Sequence, residues 1–117
     1  MKPIIKFIEQ NGQDLESFNP EIIDNFWCYL TIRIGWDEIE GSDDFGFQLC
    51  TPRALDHSSQ HKGHIWGRHH LIVNHFDAAQ IRSMIEEKIA ECARPTVEET
   101  TLILSRFFHW EFEDYQE

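Results

Sequence analysis

From residue 26 to residue 36 the chain alternates. Phe26, Cys28, Leu30, Ile32, Ile34 and Trp36 fall on one side, and Trp27, Tyr29, Thr31, Arg33 and Gly35 on the other. A period of two over such a length, rich in aromatic and β-branched types, predicts a half-buried strand. An acidic stretch follows, with Gly41-Ser42 in its middle as the expected turn. Phe45, Phe47 and Leu49 then alternate up to Cys50 and Thr51, and Pro52 stops that strand. Together these segments predict a hairpin around an acidic loop.

The flanking segments extend the pattern. Ile4 to Ile8 alternates weakly as a first strand, and Asn11-Gly12 and Asn19-Pro20 are turn signals. The polar stretch from Asp56 to Gly67 reads as a surface loop. Residues 69–76 read as a further strand, with Leu71 and Val73 on one side and Ile72 and Phe76 on the other, which predicts a covered, central position. The period then changes. Asp77 is the expected N-cap of a helix whose apolar positions are Ala78, Ile81, Ile85, Ile89 and Cys92. Arg94-Pro95 ends it, and Thr96 with Glu99 forms a capping box for a second helix through about Phe108. Val97, Thr101, Leu104 and Phe108 mark its core-facing stripe. Strands first and helices last predict an α+β fold over residues 1–117, one domain, with an antiparallel sheet of about four strands and two C-terminal helices packed on one face.

Charge constrains partners more than fold. The formal net charge of −11 is concentrated in two places. Residues 37–44 hold five acids and no Lys or Arg, and residues 84–117 hold nine acids against three bases. Such a field attracts basic surfaces and repels polyanions, so the expected partner is a basic protein or a cation, with no nucleic acid. No apolar run approaches the roughly 20 residues of a membrane helix, so no membrane partner is expected. Residues 1–6 lack a signal-peptide pattern. Cys28, Cys50 and Cys92 are far apart and odd in number, which reads as reduced thiols of a cytoplasmic protein.

Taken in order, these stretches resemble the immunity protein 8 family of bacterial polymorphic toxin systems. The strand at residues 26–34 leads through an acidic turn to Asp44-Phe45-Gly46-Phe47-Gln48-Leu49-Cys50-Thr51-Pro52-Arg53-Ala54-Leu55. Gly67-Arg68-His69-His70-Leu71-Ile72-Val73 runs into the Asp77 helix, and Trp110-Glu111-Phe112-Glu113-Asp114-Tyr115 closes the match. The resemblance implies a non-enzymatic, cytoplasmic antitoxin, encoded beside a toxin, that binds the toxin domain and protects the producing cell. It carries no catalytic residues and no cofactor, and it leaves self-association open.

The candidate partner-binding residues are Trp36, Asp37, Glu38, Glu40, Asp43 and Asp44 of the acidic hairpin and Glu111, Glu113 and Asp114 of the tail. A nuclease toxin must present Lys and Arg to phosphates, and carboxylates can satisfy those same groups. The plain alternatives are a solvated turn and a tail whose Trp110 and Phe112 dock on the sheet. The rival function is a small His-dependent metal-binding protein or hydrolase, because His57, His61 and His64 fall at helical spacing with His69-His70 nearby. No acidic or Cys ligand completes a metal pattern there. The cysteines all lie on apolar positions, which predicts inert thiols.

Overall fold

Alternation in the sequence becomes sidedness in the sheet. The computed structural model describes residues 1–113. Its elements run β1 (Pro3–Gln10), β2 (Gln13–Asp14), a 3-10 turn (Leu15–Ser17), β3 (Trp27–Trp36), β4 (Ile39–Cys50), α1 (Pro52–Lys62), β5 (His70–Ile72), α2 (Ala78–Cys92), α3 (Val97–Leu104) and β6 (His109–Trp110). In β3, Cys28, Leu30, Ile32, Ile34 and Trp36 are buried, while Tyr29 and Arg33 on the other face are exposed. Tyr29 lies over Gly46 of the neighbouring strand, where a Cβ would run into the phenol ring, so the close approach requires glycine.

The fold is mixed α+β, but the sheet is larger than expected. Among the described residues it has six strands, in the order β2-β1-β3-β4-β5, with β6 also pairing to β4. β5 runs parallel to β4 and the other pairs are antiparallel. β5 takes the Gln48–Cys50 part of β4, whereas β6 takes Phe45 and Gly46. Ile81, Ile85, Ile89 and Cys92 of α2 and Leu104 of α3 share one buried cluster with Ile8, Leu30, Ile32, Phe45, Phe47 and Leu49. Each fully buried side chain of this kind contributes roughly 1.5–3 kcal/mol, so the cluster dominates stability.

Both expected caps form: Asp77 accepts from the Gln80 N–H at 3.1 Å and Thr96 from the Glu99 N–H at 3.1 Å. Two other expectations need correction. Residues 56–67 are not simply a loop, because most of that stretch belongs to α1. Thr51 caps that helix through the Ala54 N–H, Pro52 occupies its first turn, and Gly63 ends it in the left-handed region at φ 82°. α1 carries no apolar stripe, because Ala54 is its only buried residue. Residues 69–76 do not form a central strand either. β5 is three residues long and sits at the end of the strand order, with Ile72 exposed. Phe76 turns instead to Phe18 and Phe26, with edge-on ring contacts at 5.3 and 5.7 Å.

Candidate functional site

The acidic hairpin is tighter than its glycine suggests. Trp36 pairs with Ile39, so Asp37 and Glu38 form the turn, and Gly41-Ser42 lies within β4. Gly41, at φ 100°, takes up the register shift between the Gly35–Ser42 and Trp36–Ile39 pairs. Asp37 is tied to the start of the chain: its N–H donates to the Lys2 carbonyl at 3.1 Å and its Oδ1 accepts from the Lys2 N–H at 2.9 Å. Glu38, Ile39 and Glu40 are exposed. Trp36 is 5 % exposed and belongs to the core cluster, which leaves little of it for a partner.

β6 brings the second acidic segment to the first. Trp110 donates its Nε1–H to Asp43 Oδ2 at 3.1 Å. The Asp44 N–H donates to Glu111 Oε2 at 2.8 Å, and the Glu111 N–H donates back to the Asp44 carbonyl at 3.0 Å. Asp44 also holds Arg33 through Nε at 3.1 Å, and this carboxylate raises the guanidinium pKa. Glu113 holds Arg68 at 2.9 Å and contacts His109 Nδ1 at 3.2 Å. Exposed pairs of this kind contribute little stability, about 0–1 kcal/mol each, so they set geometry more than they hold the fold. The structure thus joins Asp43 to Trp110 and Asp44 to Glu111, while Asp37, Glu38 and Glu40 stand at the turn end of the same hairpin. Asp114 lies outside the described residues.

Beside this edge runs a groove of about 490 Å³ between α3 and the segment beginning at β6. Val97, Leu102, Trp110 and Phe112 line it together with Asp43, Glu98 and Glu113. Leu102 is not among the candidate residues the sequence offers. The signal was present, because Leu102 falls off the stripe Val97, Thr101, Leu104 and Phe108, an apolar side chain on the polar face of its helix.

A larger groove, about 750 Å³, lies where α1 meets Trp27 and includes His57, His61, His64 and Trp66. Trp66 is 86 % exposed. Among the described residues no group of three or more His, Cys, Asp or Glu is placed to hold a metal ion. All three thiols are buried, and burial pushes Cys28 and Cys50 up to about 11 and Cys92 upward, which disfavours the nucleophilic thiolate. No helix among the described residues is long and apolar enough to cross a membrane.

Compared with known families, the chain matches the model of immunity protein 8 over residues 4–115. It belongs to the immunity protein 8 family. Membership implies immunity against a toxin, and hence a cognate toxin protein as the partner. No curated protein and no solved structure matches the chain.

Proposed function

We propose that this immunity protein uses its acidic edge to bind a basic face of its cognate toxin domain, a nuclease, and occludes the active site in the cytoplasm of the producing cell. One observation supports the reading: β6 pairs with β4, so Asp43 and Asp44 of one acidic segment meet Trp110 and Glu111 of the other. A nuclease must concentrate Lys and Arg where it holds phosphate. Carboxylates arrayed on a rigid strand pair can meet those groups and accelerate encounter by about 10–10³-fold at low salt. The reading requires no chemistry from the immunity protein itself.

Growth rescue tests it. The C-terminal domain of the large secreted protein encoded beside this chain is expressed alone and together with the chain. The expected outcome is restored growth with co-purification of a stable pair. Persistent toxicity despite abundant, folded immunity protein would sink the pairing.

A further inference from the structure

The groove between α3 and β6 is where the acidic edge turns apolar. Its charged lining residues are Asp43, Glu98 and Glu113, with no Lys, Arg or His among them. Asp43 already accepts the Trp110 indole, and Glu113 already meets Arg68 and His109. The Glu98 carboxylate makes no hydrogen bond or ion pair within the described residues. It stands four residues before Leu102 on α3, which puts the unpaired carboxylate beside an apolar side chain on one helix face. Leu102 is 67 % exposed and Phe112 41 %, so apolar area and negative charge are offered together.

We infer that this groove is an anchor pocket for a Leu- or Phe-sized side chain flanked by Lys or Arg on the partner protein. The flanking bases complement Glu98 and the edge, while the apolar side chain covers Leu102 and Phe112. The division of labour follows from general interface energetics: exposed charge governs encounter, and a desolvated apolar centre governs dissociation. That the partner is the toxin domain rests on the function proposed above. The chemistry of the pocket does not.

A toxin-free experiment therefore comes first. ¹⁵N-labelled protein is titrated with N-acetyl-Arg-Phe-Arg-amide and followed at the Trp110 indole and the Leu102 amide. Saturable shifts at both positions are expected, with affinity roughly tenfold above that of N-acetyl-Arg-Gly-Arg-amide and lost in Leu102→Ser. Equal binding of the two peptides, absence of shifts, or shifts centred on Trp66 would overturn the assignment. Against the toxin domain, Leu102→Ala is expected to raise koff about tenfold and leave kon within about twofold. An unchanged koff overturns the anchor role and leaves the immunity reading intact. Peptide binding in the groove, with a toxin domain that the wild-type chain never binds, keeps the anchor pocket and removes its assigned partner.

Discussion

The acidic edge and the histidine-lined face of α1 are both conspicuous in the sequence, yet the chain builds them in opposite ways. At the edge, Asp43 meets Trp110 and Asp44 meets Glu111, each pair separated by 67 residues, and the contacts include backbone groups. On α1, His57 and His61 stand one turn apart and His64 follows just past Gly63, and none of the three side chains makes a hydrogen bond or ion pair within the described residues. Helical spacing is enough to gather similar side chains on one side, but it does not fix them. Long-range pairing fixes them. A preorganised surface loses less entropy on binding, which favours the edge as the interface.

The comparison can be broken most directly at the exposed end of the hairpin. Reversing Glu38 and Glu40 to Lys should slow association with the toxin domain by about tenfold at low ionic strength, with the difference shrinking as salt rises. Stopped-flow mixing reads this, and an unchanged rate would move the interface elsewhere. Asp37, Asp43 and Asp44 are left alone because their carboxylates also hold the Lys2 N–H, Trp110 and Arg33. The joint between the two acidic segments comes next. Trp110→Ala removes ring packing and the bond to Asp43, and should cost about 2–3 kcal/mol in denaturant unfolding, with Trp110→Phe costing about 1.

Smaller effects are expected on the α1 side. Thr51→Ala removes the cap of α1 and should cost about 1 kcal/mol while leaving the association rate unchanged. Trp66→Ala should change stability by less than about 0.5 kcal/mol, because the side chain is almost fully exposed. A large loss of toxin affinity in that variant would reverse the ranking of the two surfaces. Last, protein purified without a histidine tag should carry no stoichiometric metal by elemental analysis. Bound zinc would revive the rival role for the histidines.

Much of the fold was legible because its signals are local. The period of β3, the burial of Ile81, Ile85, Ile89 and Cys92, and the caps at Asp77 and Thr96 each depend on residues within a few positions of one another. α1 announced itself only at its ends, by Thr51-Pro52 and Gly63, since one buried alanine cannot produce a visible stripe. β5 misled for the reverse reason. Leu71, Val73 and Phe76 all pack on the core, but only residues 70–72 pair with β4, so their apolar character did not report one continuous strand. In the candidate site, the acids were visible as composition, whereas Leu102 required knowing that its helix face borders Trp110 and Phe112.

By itself, the sequence determined that one face of β3 is apolar, that α2 and α3 begin at Asp77 and Thr96, and that the charge is segregated. Periodicity, capping and charge are properties of neighbours along the chain. Tertiary structure decided that the turn falls at Asp37–Glu38, that β5 lies parallel at the end of the strand order, and that β6 ties the two acidic segments together. Those outcomes depend on which distant backbone donors and acceptors satisfy one another. A strand edge will pair with any extended segment that can reach it, and only the packed core selects which one does.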